Sequence, residues 1–209
     1  VLGIIGTMLI GISMEYVGYR PIRRSPRLFM IIVSLGFSYI AATAALIIWG
    51  TQAVSFPAII KAKAFSYGNV VVNTTQIWIL ITAILIMAGL TLFVNKTRMG
   101  MAMRAVSLDQ SVSGLMGINV NMVISFTFAL GSALGAVSGI MMASYYGSIY
   151  PTLGAVIGNK GFAAVVLGGT TFGLGAGGVL GVVAGAFALT FLANLMTGLG
   201  AGKPAQLIV

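Results

Sequence analysis

The chain has 209 residues, 59% of them hydrophobic and 6% charged, and its eleven Lys and Arg face only two acids, Glu15 and Asp109. A soluble domain carries about 25% charged residues, so a water-exposed globular surface and a disordered chain are both excluded. The net charge of +9 does not point to nucleic acid, because the basic residues are few and lie between long apolar runs. An integral membrane protein remains. Cysteine and histidine are absent, which excludes a disulfide framework, a thiolate nucleophile, an imidazole base and a zinc site. No cofactor, metal or catalytic residue is expected.

Residues 1–12 form an apolar run too short for a full span, with no basic leader of the signal-peptide kind. The chain closes on "QLIV", which reads as the start of another apolar run. Both ends are expected to belong to a longer protein. Between them, residues 28–60, 64–95, 110–159 and 161–202 carry no charge, and each is long enough for a span of about 20 residues. Helices are expected over 28–49, 76–95 and 121–145, with a short one over 162–167 and a longer one over 177–195. The runs do not alternate in polarity, which argues against a membrane barrel.

The basic residues set the orientation. "YRPIRRSPR" holds Arg20, Arg23, Arg24 and Arg27; "NKTRMGMAMR" holds Lys96, Arg98 and Arg104. Two spans separate the clusters, so both face one side, which is expected to be the cytoplasm. Residues 50–75 then face outward, although Lys61 and Lys63 lie among them. No charged side chain falls within an expected span. The segment therefore offers no proton relay of the usual intramembrane kind, and any transport must be driven by another chain or by sequence outside this one.

Several motifs imitate nucleotide sites. "GLGAGG" at Gly173–Gly178 fits a dinucleotide fingerprint but has no acid after it for the ribose. "GAGKPA" around Lys203 lacks the first glycine of a phosphate loop and has Pro204 where a magnesium-binding hydroxyl belongs. "NTT" and "NKT" are glycosylation sequons by pattern alone.

Glycine carries the structural signal. Gly131, Gly135 and Gly139 recur every fourth residue, as do Gly177, Gly181 and Gly185, a spacing that lets helices approach closely in lipid. Six glycines between Gly168 and Gly178 are too many for a helix interior. A broken element at membrane depth is tolerated where it is buried in protein or lines a cavity, and transporters put substrate sites at such breaks. Gly168, Gly169, Thr170 and Gly173 are the candidates for a pathway, with plain packing as the alternative. The most polar stretch, residues 97–119, suggests a short helix outside the bilayer, either a solvated loop or a docking element for a soluble partner.

"EYVGYRPIRRSPRL", "TRMGMAMRAVSLD", "LMGINV", "TFALGSALGAVSGIMM", "YYGSIYPTLG" and "GFAAVVLGGT" occur in that order. Together they resemble the permease subunits of bacterial high-affinity branched-chain amino-acid ABC transporters. The resemblance implies an all-α, multi-pass helical bundle with a Gly-rich broken element, in which residues 1–209 form one partial permease domain lacking its terminal spans. It implies the bacterial inner membrane, a small-molecule substrate, a second homologous permease subunit, two cytoplasmic ATPase subunits and an external substrate-binding protein. The ATPase-coupling loop would then hold Arg104, Ser107, Asp109, Gly114, Leu115, Gly117 and Ile118. Two features depart from the family. Leu108 stands before Asp109 where an acid or amide is usual, and "TFGLGAGG" follows Thr170. The end of the chain also resembles the ribose-type sugar and nucleoside permeases.

Overall fold

The computed structural model describes residues 1–22, 27–56, 64–67, 70–169 and 178–199. They divide into two compact units, Val1–Gly154 and Ala155–Val209. Five described helices are long and apolar enough to cross a membrane: Leu2–Tyr19, Phe29–Trp49, Thr74–Lys96, Val120–Tyr146 and Val179–Gly198. Large apolar side chains such as Leu35, Ile84 and Phe191 point outward, whereas among the described residues the largest fully buried side chain is a carboxylate, Glu15. That inversion suits lipid. Hydrocarbon is as apolar as leucine, so small residues and polar bonds hold the helices together in place of the hydrophobic effect.

In the first unit, α1 (Leu2–Met14) runs directly into a π-helical turn, Glu15–Tyr19. Residues 1–12, read as too short for a span, are therefore part of one 18-residue apolar helix. Ser13, Glu15 and the basic cluster follow Ile12 so closely that the sequence hides this continuation. One side of this helix packs on α6 (Val120–Tyr146). A side chain at Gly11 would collide with Ser132. The Ser125 hydroxyl donates to Glu15 Oε2 at 2.7 Å, and the Tyr19 and Phe128 rings meet at 4.8 Å. Gly18 lies against the Phe37 ring of α2 (Arg27–Trp49). Phe93 stacks on Phe126 at 6.0 Å, joining α3 (Thr74–Lys96) to α6.

Polar residues mark the helix ends. Asn73 begins α3 in a capping box with Gln76, which satisfies two otherwise orphaned amides. Two short antiparallel pairs lie among the connections. β1 (Val54–Ser55) pairs with β4 (Ser148–Ile149), and β2 (Ala64–Tyr67) pairs with β3 (Val70–Asn73). Gly147 ends α6 at φ +65°, the left-handed conformation that suits glycine.

The second unit takes in most of α7 (Leu153–Leu167) and all of α8 (Val179–Gly198). The short helix expected over 162–167 is 15 residues long. It begins well before Lys160, the charge that separates the two apolar stretches in the sequence. Glu15 and Lys160 thus both lie within apolar helices, which corrects the expectation that no charged side chain does.

Candidate functional site

The polar segment after α3 is built from residues that each serve two helices. Thr97 is extended, at φ −97° and ψ 154°. Its hydroxyl donates to the Phe93 carbonyl at 2.7 Å and accepts from the Gly100 amide at 3.0 Å. It therefore closes α3 and opens α4 (Arg98–Leu108). A side chain at Gly100 would strike the Val94 and Phe93 carbonyls, so glycine lets α4 fold back tightly on the end of α3. Asp109 repeats the device between α4 and α5 (Gln110–Leu115). Its Oδ1 accepts from the Ser111 amide at 2.8 Å, the Val112 amide at 3.1 Å and the Ser111 hydroxyl. The Ser111 hydroxyl above all, with the two amides, holds this carboxyl below its ordinary range. Asn119 then caps α6 through the Met122 amide at 3.2 Å.

These caps replace the single short helix of the sequence reading with two helices broken at Asp109. They also divide the segment into two edges. Gly100, Val106 and Ser113 are buried, and the segment packs against α3 and α6. The outer edge carries Leu108 at 74% exposure, Leu115 at 88% and Met116 at 78%, with Val112 also exposed. Apolar groups this bare are unusual on the most polar part of the chain. Of the expected coupling residues, Arg104, Ser107, Asp109, Gly114, Leu115 and Gly117 are exposed, and Ile118 is half-buried. Ser107 donates to the Arg104 carbonyl at 2.7 Å. Gly117 turns the chain at φ +82°. Asp109 is a structural cap here, and Val112 joins the apolar edge although the sequence reading did not name it.

The second candidate lies in the Ala155–Val209 unit. A side chain at Gly168 would meet the Gly181 backbone, and one at Gly185 would meet the Ala164 carbonyl and the Gly168 backbone. The end of α7 and the first half of α8 are thus in backbone contact. Gly169 turns out of α7 at φ +76°. Thr170, Gly173 and Gly177 lie outside the described residues. Gly131, Gly135 and Gly139 on α6 each open on empty space, so they pack against no described residue. Two polar features escaped the sequence reading. Glu15 and Ser125 are 110 positions apart, and no local pattern links them. Lys160 had its signal in plain view, as the single charge between two apolar runs.

The family model described as branched-chain amino acid transport system / permease component matches residues 1–208. The chain belongs to this family of membrane permease components. The high-affinity branched-chain amino acid transport system permease protein BraD of Pseudomonas aeruginosa is 38% identical over 191 residues, covering 88% of this chain and 62% of that one. The corresponding permease protein LivH of Escherichia coli is 36% identical over 178 residues, covering 80% and 57%. The ribose import permease protein RbsC of Escherichia coli is 32% identical over 145 residues, covering 69% and 44%. The chain thus spans about 60% of the length of the first two relatives. No solved structure matches it.

Proposed function

We propose that this chain forms much of a permease subunit of a bacterial inner-membrane ABC importer for branched-chain amino acids. The energy comes from ATP hydrolysis on two cytoplasmic ATPase subunits. A second homologous permease completes the membrane part, and an external binding protein delivers the substrate. The carrying observation is the family match over residues 1–208. The ribose permease is matched over a shorter stretch at lower identity than BraD, so an amino acid is the preferred cargo.

In this reading α4 and α5 are the coupling element. Leu108, Val112, Leu115 and Met116 enter an apolar groove on an ATPase, as buried anchors do in other interfaces. The capped ends at Thr97, Asp109 and Asn119 make the element stiff, so displacement of α4 and α5 reaches α6. The Gly168–Gly181 contact belongs to the path the substrate follows. The test is the full-length subunit reconstituted with its partners in liposomes. The parent complex should accumulate leucine when ATP is inside. Leu115→Asp should assemble poorly with the ATPases or fail to couple hydrolysis to uptake, with the permease still folded. Parental coupling by that variant would leave α4 and α5 a solvated loop, and ribose uptake in place of leucine would overturn the cargo.

A further inference from the structure

Lys160 is the only charged residue in α7, and α8 has none. At 1.5 Å per residue, α7 is about 22 Å long, short of the roughly 30 Å hydrocarbon core that the 20 residues of α8 match. The contacts between them fix the depth of Lys160. Gly168 lies on Gly181, and Ala164 lies on Gly185, so positions advance along α7 as they retreat along α8. One further turn in this antiparallel register sets Lys160 level with Leu189, the eleventh of the 20 residues of α8. The ammonium group therefore starts from near the middle of the membrane.

A cation at that depth is costly unless it meets an anion or a water-filled path. Lys160 is exposed and makes no hydrogen bond or ion pair with a described residue. The two acids of the chain are engaged elsewhere, Glu15 with Ser125 and Asp109 as the cap of α5. Gly158 and Gly161 flank Lys160 along the helix, and both open on empty space. No described side chain therefore crowds this part of α7 at those two positions. Apart from Asn159 and Thr190, the surrounding residues of α7 and α8 are apolar or glycine, which suits a hydrocarbon side chain and supplies no second charge.

We propose that Lys160 is a binding residue for the carboxylate of an amino acid crossing the membrane, with the apolar faces of α7 and α8 receiving its side chain. Lysine suits the task as a compact point charge on a flexible stem. It holds one carboxylate without the two-pronged grip that would slow release. The assignment rests on the transport reading above.

The experiment uses the reconstituted complex with the full-length subunit, and leucine as the probe. Lys160→Met should assemble but lose leucine uptake by about tenfold or more, while Lys160→Arg keeps at least about a third, since truncating one member of a desolvated charge pair costs far more than exchanging it. Lys160→Cys, in a full-length complex with any other reactive cysteine replaced, should react with a negatively charged, water-soluble methanethiosulfonate. Leucine-loaded binding protein with ATP should slow that reaction. Absence of reaction would put the side chain in lipid. Reaction that leucine does not slow, or parental uptake by Lys160→Met, would also overturn the assignment while leaving the transport reading intact. A parent complex that moves no leucine would overturn both.

Discussion

Replacing one glycine at a time by alanine separates close packing from open surface. At Gly185 the new methyl would sit against the Ala164 carbonyl, 2.7 Å from the Gly168 nitrogen and 3.1 Å from its Cα. All three are backbone atoms, which cannot swing aside as a side chain does. At Gly181 it would strike the Gly168 carbonyl. At Gly131, Gly135 and Gly139 it would meet nothing. Alanine gains about 1 kcal/mol of helix propensity over glycine at an interior position, a gain shared by Gly185 and the three α6 sites, while Gly181 in the first turn of α8 gains less. The contrast between the sets is therefore the strain of overpacking, about 1–3 kcal/mol. Reversible unfolding of the purified protein in mixed micelles, followed by helix signal, measures it. Gly181→Ala and Gly185→Ala should destabilise relative to Gly131→Ala, Gly135→Ala and Gly139→Ala by that margin. Equal effects in the two sets, or a stabilising Gly185→Ala, would refute the contact between α7 and α8.

Three further outcomes are expected. Ser125→Ala and Glu15→Gln, singly and together, should show a coupling of about 0.6–1.7 kcal/mol in the same unfolding assay, the range of polar bonds between membrane helices. The Glu15 variant should cost more alone, because that residue has an interaction besides the one with Ser125. Asp109 has its carboxyl lowered in the folded chain, so the cap contributes fully above its unfolded value of about 3.9 and is lost as pH falls through the lower folded value. Hydrogen-exchange protection at Ser111 and Val112 should stay level down to the ordinary carboxylate range and drop only below it; a drop near neutral pH would contradict the cap. Cysteines placed at Arg20 or Arg98 should resist impermeant reagents applied outside intact cells, and ready labelling there would invert the orientation drawn from the basic clusters.

Much of this architecture is legible in the sequence because lipid imposes a simple grammar. Charge-free windows located α2, α3, α6 and α8 to within a few residues. The basic clusters interrupt those windows. The caps at Asn73, Thr97, Asp109 and Asn119 emerge only in the structure, although their residue types suit helix starts. What escaped the reading is tertiary. Taking charge as punctuation put Lys160 at a boundary, although a helix carries a single lysine without breaking. The same habit ended the first apolar run before Glu15, whereas Glu15 is 1% exposed and bonded to Ser125 far along the chain. The glycines on α6 and α8 share one spacing. Only the fold separates those in contact from those that are open.

The π-helical turn at Glu15–Tyr19 closes with the Arg20 amide donating to the Glu15 carbonyl at 2.9 Å. Such a turn holds one residue more than an α-turn, which is the trace a single inserted residue leaves in a helix. Removing one residue here would let the backbone relax to ordinary α-helix with every amide still satisfied. All of α1 would then be rotated by about 100° relative to the chain that follows. Gly11 would leave Ser132, and a bulky aliphatic neighbour would take its place. A length change of one residue is thus silent in secondary structure and disruptive in assembly, so the turn fixes which stripe of the first helix belongs to protein and which belongs to lipid.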